Sequence, residues 1–116
     1  MDKTLAILAL AGVLGGTAVA VKTSTKPAQE VTVLQINAKW NRYNTREDLE
    51  RLNNCEYKFG WLEEQPLALQ KTISAVPVVV IYDEGKPAYQ YVADISFKLN
   101  TPFEEIQEQV QREVED

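Results

Sequence analysis

Histidine is absent from this 116-residue chain, and cysteine occurs once, as Cys55. A single cysteine cannot close an intramolecular disulfide. One thiol and no imidazole leave a zinc or copper site almost without ligands, so no metal or other cofactor is expected. The histidine-based routes to general-base and triad catalysis are closed as well. Carboxylates remain, but they are scattered at helical spacing and not clustered within apolar runs. Cations are also in short supply: 12 Lys and Arg against 17 Asp and Glu give a formal net charge of −5. An acidic domain repels phosphate backbones, which argues against nucleic-acid binding. The acidity is densest from Glu104 to Asp116, the composition of a solvated helix face.

What the chain does have begins with an apolar run from Leu5 to Val21, broken only by Thr17 and glycines. As a helix it would span roughly 26 Å, slightly short of the bilayer hydrocarbon. Three readings compete. One is a signal peptide, with Lys3 as its basic start and Ala18-Val19-Ala20 as a cleavage site. The others are a retained membrane anchor and a helix buried in an assembly. Retention is the expectation taken, with residues 4–21 as the membrane-contacting stretch. Gly12 and Gly16 make a G-x-x-x-G pair that permits close helix approach, although small residues are common in such segments anyway. The flanking charges differ too little to orient the segment. Residues 22–30 are polar, contain Pro27 and read as a linker. The organisation is therefore 1–21 apolar helix, 22–30 linker and 31–116 folded domain, a size that can bury one core.

Within the domain, Val31 to Ile36 suits a buried strand. Asn37 to Asn44 form a polar loop carrying aromatics. Thr45-Arg46-Glu47-Asp48 resembles a helix start with acidic residues in the first turn, and Leu49 and Leu52 supply its stripe. Tyr57 to Leu62 is ambiguous. Pro66 suits a first helical turn, with Leu67, Ala68 and Ile73 following. Val76 to Tyr82 is the strongest strand, and Asp83-Glu84-Gly85-Lys86 turns it into a return strand over Ala88 to Val92. Thr101-Pro102-Phe103-Glu104 reads as a capping box. Phe103, Ile106, Val110 and Val114 then give the stripe of a last helix.

Residues 36–44, Ile-Asn-Ala-Lys-Trp-Asn-Arg-Tyr-Asn, resemble the active-site turn of the thioredoxin family, where an apolar strand runs into Trp-Ala-x-Trp-Cys-Gly-Pro-Cys. Residues 73–77, Ile-Ser-Ala-Val-Pro, resemble the loop that carries that family's cis-proline. The resemblance covers residues 31–114. It implies an α/β thioredoxin-like fold, a central mixed sheet flanked by helices, preceded here by the N-terminal hydrophobic helix. It also implies a cis Val76–Pro77 bond and a strand near Tyr57 to Leu62. The alignment puts Asn41 and Asn44 where the two redox cysteines would stand. A dithiol needs two sulfurs, so the chain reads as a degenerate member lacking the CxxC cysteines, and not as an enzyme.

The candidate contact residues are Trp40, Asn41, Arg42, Tyr43 and Asn44 in the altered turn, with Val76 and Pro77 in the proline loop. Arg and Tyr are enriched at binding hot spots, and the proline loop could receive an extended peptide by strand addition. The alternative is an eroded site with ordinary surface side chains. The leading functional expectation is a non-catalytic, membrane-anchored structural or assembly subunit. It would contact other protein subunits of a larger complex, a virus particle among the possibilities. Two alternatives stand beside it: a thiol–disulfide redox protein using Cys55 alone, and a secreted or periplasmic binding or chaperone-like module after signal cleavage.

Overall fold

A computed structural model describes residues 30–115. The apolar run and, apart from Glu30, the linker lie outside the described residues, so the expected N-terminal helix and its boundaries do as well. Among the described residues no helix is long and apolar enough to cross a membrane.

The strands are β1 (Val31–Asn37), β2 (Glu56–Trp61), β3 (Val78–Asp83) and β4 (Lys86–Val92). They form one mixed sheet in the order β2-β1-β3-β4. β1 is parallel to β2 and antiparallel to β3, which is antiparallel to β4. The central strands are covered on both faces, which explains their near-continuous apolar runs. On one face, Val31, Val33, Val79 and Ile81 join Leu49, Leu52, Ile106 and Val110 in the larger core cluster. On the other, Leu34, Ile36, Val78, Val80 and Tyr82 pack with Leu69.

The hairpin between β3 and β4 turns through Glu84 at φ 55° and Gly85 at φ 84°. Two consecutive positive φ values match the twist of the flanking strands. The segment Tyr57 to Leu62, ambiguous in the sequence, is resolved as edge strand β2. The helix expected after Pro66 is a single turn, α1 (Leu67–Gln70), and the last helix is α2 (Phe103–Glu115). Ile106 and Val110 of α2 are fully buried, and Phe103 and Val114 pack at the margin of the same cluster. The stripe read from the sequence is thus the one buried.

The helix expected from Thr45 is not formed. A 3-10 segment, Glu47–Arg51, stands in its place, and the expected loop before it holds a second one, Lys39–Asn44; neither has a side-chain cap. The start of the Glu47–Arg51 segment is held by a residue eleven positions before Arg46. The buried Gln35 side chain accepts the Arg46 N–H through Oε1 (2.9 Å) and donates through Nε2 to the Arg46 carbonyl (3.1 Å). The Arg46 carbonyl also accepts the Leu49 N–H at 3.4 Å, the i→i+3 bond of a 3-10 turn, so Gln35 pins the entry to this segment. Leu49 and Leu52, three apart, suit the 3-10 repeat as well as they suit an α-helix.

Candidate functional site

The loop after β1 and the proline loop meet at one end of the sheet. The Val76–Pro77 peptide bond is cis. This brings the Val76 carbonyl beside the Asn41 side chain, where Asn41 Nδ2 donates to it at 3.2 Å. The same amide nitrogen donates to Asn37 Oδ1 at 2.9 Å and to the Phe97 carbonyl at 3.0 Å. Asn41 Oδ1 accepts from Asn44 Nδ2 at 2.8 Å. An amide has two N–H hydrogens, so three acceptors share two donors and one of the bonds is three-centred. Asn41 is only 5% exposed. It ties together the end of β1, the proline loop and the segment after β4.

Asn37 extends this network. Its Oδ1 also accepts from the Ala38 N–H (2.9 Å), and its Nδ2 donates to the Asn41 carbonyl (3.0 Å) and to Thr45 Oγ1 (2.8 Å). A fully buried amide is stable only when so satisfied. Arg46 anchors the next stretch. It grips Asp48 with Nε (2.9 Å) and Nη2 (2.8 Å), while Nη1 donates to the carbonyls of Leu99 (3.0 Å) and Thr101 (2.7 Å). The hydrogen bond and charge of Arg46 hold the Asp48 carboxyl below its ordinary range, against a smaller opposing effect of burial.

The seven residues singled out in the sequence therefore divide. Asn41, Val76 and Pro77 are buried, and Asn44 is half-buried. Trp40 is 64% exposed, Tyr43 is 86% exposed, and Arg42 is exposed with its guanidinium over the Tyr43 ring, 4.9 Å from the centroid. The structure adds residues that sequence reasoning missed. Phe97 sits at φ 62°, an uncommon value for a bulky residue, and meets Trp40 edge-on with ring centroids 5.0 Å apart. Ile95, beside it, is 96% exposed. No periodic signal marks either residue. Asn37 had one: a polar residue closing an otherwise apolar strand.

Cys55 is partly buried and packs against the larger core cluster, remote from this end of the sheet. Burial pushes its thiol up to about 11. Among the described residues, no group of three or more His, Cys, Asp or Glu side chains is placed to hold a metal ion.

Among solved structures, the chain is similar to a mutant thioredoxin from Halobacterium salinarum NRC-1. The two share 15% identity over 74% of this chain and 76% of that chain, with a TM-score of 0.58. It also matches a thioredoxin from Malassezia sympodialis at 18% identity, over 78% of this chain and 80% of that chain, with a TM-score of 0.43. No family model matches the chain, and no curated protein matches it significantly. The Halobacterium likeness shows the fold: an α/β, thioredoxin-like domain.

Proposed function

We propose that this chain is a degenerate thioredoxin-like domain without dithiol chemistry, acting through protein contacts as a membrane-anchored structural or assembly subunit. The observation that carries the reading is the Asn41 amide. It stands where the resemblance puts the nucleophilic cysteine, and it is buried with both of its polar atoms hydrogen-bonded. Such a group neither ionises nor attacks a disulfide. It braces the end of the sheet from inside. The Val76 carbonyl is one of its acceptors, which leaves that carbonyl less able to pair with an incoming strand. The exposed groups at this end are Trp40, Arg42 and Tyr43, with Ile95 and Phe97 alongside. Aromatic and arginine side chains on a rigid support are the composition of a contact surface. Attachment to the membrane is assigned to residues 4–21.

The test is association of the full-length chain with the proteins recovered alongside it from its native membranes. Arg42→Ala and Tyr43→Ala should each weaken association by more than about 1 kcal/mol, the usual hot-spot threshold. Thermal stability should move by no more than about 0.5 kcal/mol, as for other exposed positions. Unchanged association in both variants removes this surface from the reading. Turnover of a disulfide substrate that disappears in Cys55→Ser overturns the non-catalytic reading itself.

A further inference from the structure

The missing helix has a consequence on the flank of the sheet. α2 lies over β1 and β3, so the same face of β2 is left to the two 3-10 segments. These are too short to cover it. Tyr57, Phe59 and Trp61 alternate along β2 in register with Val33, Gln35 and Asn37, and so project from that face. Together with Tyr43 they wall an open depression of about 650 Å³, whose lining also includes Arg42, Thr45, Glu47 and Glu50. Phe59 and Trp61 stand edge-to-face with centroids 4.8 Å apart, and Phe59 is exposed.

We infer that this trough binds a lysine or arginine side chain of a partner polypeptide. The rings of Tyr57, Phe59 and Trp61 can attract a cation electrostatically, that of Tyr43 being already under Arg42, and Glu47 and Glu50 add charge of the complementary sign. Neither Glu47 nor Glu50 has an ion-pair partner among the described residues. Glu50 acts on the site's interior as well. The Tyr57 phenol is pushed up chiefly by burial, against the opposing hydrogen bond from Gln35 Nε2 at 2.7 Å, and the negative charges of Glu50 and Asp48 add smaller upward pushes. The cation in the wall, Arg42, is turned onto Tyr43, with Nη2 donating to its hydroxyl at 3.1 Å. A polypeptide is the favoured source of the bound cation because β2 is an edge strand. Its outer edge has no strand partner among the described residues, so a peptide backbone can pair there while one side chain enters the trough. The inference does not rest on the end-face reading above.

The experiment titrates the full-length chain, in a nonionic maltoside detergent, with blocked pentapeptides. These differ only at the central residue: lysine, arginine, norleucine or glutamate. Backbone and indole NMR signals of Glu50, Phe59 and Trp61 report binding. The lysine and arginine peptides should shift these signals and bind about tenfold more tightly than the norleucine peptide. Glu50→Gln, at an exposed position, should weaken the lysine peptide about fivefold and leave the norleucine peptide unaffected. Arg42→Ala should strengthen it, because a like charge leaves the wall. That is opposite in sign to its effect on end-face association, so the two readings fail separately. Equal binding of norleucine, preference for glutamate, or no shift at about 10 mM lysine peptide would each overturn the inference.

Discussion

Replacing Asn41 by alanine removes the donor shared by Asn37 Oδ1, the Val76 carbonyl and the Phe97 carbonyl. Leaving buried acceptors without a donor costs about 1–3 kcal/mol, and the expected loss falls in that range when urea unfolding of the variant is compared with the parent. A surface asparagine would show almost none, so a near-zero difference would mean that the amide does not brace the sheet end. Cys55 supplies a second test at this scale. With its thiol held near 11 in the fold, against 9.0 as the ordinary value, the thiolate fraction at pH 8 is about 100-fold below that of an unperturbed thiol. Because a thiolate of higher pKa is also the stronger nucleophile, a chromogenic disulfide reagent should label the native protein at least about tenfold more slowly than the unfolded chain. The sign for stability follows from the raised value. The neutral thiol's contribution is fully present below pH 9 and is lost as pH rises toward 11. Equal labelling rates in both states would show the thiol to be accessible and ordinary.

At the scale of elements, the 3-10 segments depend on packing and not on helix propensity. Leu49 is fully buried and is their main contribution to the larger core cluster. Leu49→Ala should cost about 2–5 kcal/mol, as for other large-to-small core changes, read from the denaturation midpoint at constant slope. Glu47→Ala, on the exposed side of the same segment, should stay within about 0.5 kcal/mol. Strands β1 and β3, the hairpin turn and helix α2 were legible in the sequence because each signal is local. Runs of valine and isoleucine buried on both faces mark the strands, Glu84-Gly85 marks the turn, and Ile106 and Val110 keep helical spacing. The segment from Thr45 to Leu52 was not legible. Gln35, distant in sequence, takes the Arg46 N–H and carbonyl, and no local rule anticipates that exchange.

At the scale of the molecule, exposed apolar side chains of the described domain gather on two surfaces, besides Leu67 and the β4 residues Tyr89 and Val92. One is the end face with Trp40, Tyr43 and Ile95; the other is the aromatic flank of β2. A chain lacking residues 1–27 should unfold as cooperatively as the full chain, since both core clusters of the described domain are built from residues after 30. It should also fail to fractionate with membranes, if residues 4–21 are the attachment device. Gel filtration, thermal melting and membrane flotation check the two halves of that expectation. Flotation of the truncated chain at the parent's yield would assign attachment to the folded domain.

The sequence by itself determined the sheet strands β1 and β3, the last helix and the absence of a dithiol, because each rests on residue type and near-neighbour spacing; the proline loop came from the family resemblance. The tertiary structure alone decided which contact candidates face solvent. Asn41, Asn44, Trp40 and Tyr43 are adjacent in sequence and polar or amphipathic, so pattern could not separate them. They part company because the Asn41 amide finds carbonyls from residues 35 and 56 positions away, in Val76 and Phe97, and is drawn inside. Among the described residues, Trp40 makes its ring contact with Phe97, and Tyr43 makes its own with the Arg42 guanidinium. The trough on β2 has the same origin. It lies beside the Glu47–Arg51 segment, whose entry Gln35 of the neighbouring strand holds through the Arg46 N–H and carbonyl.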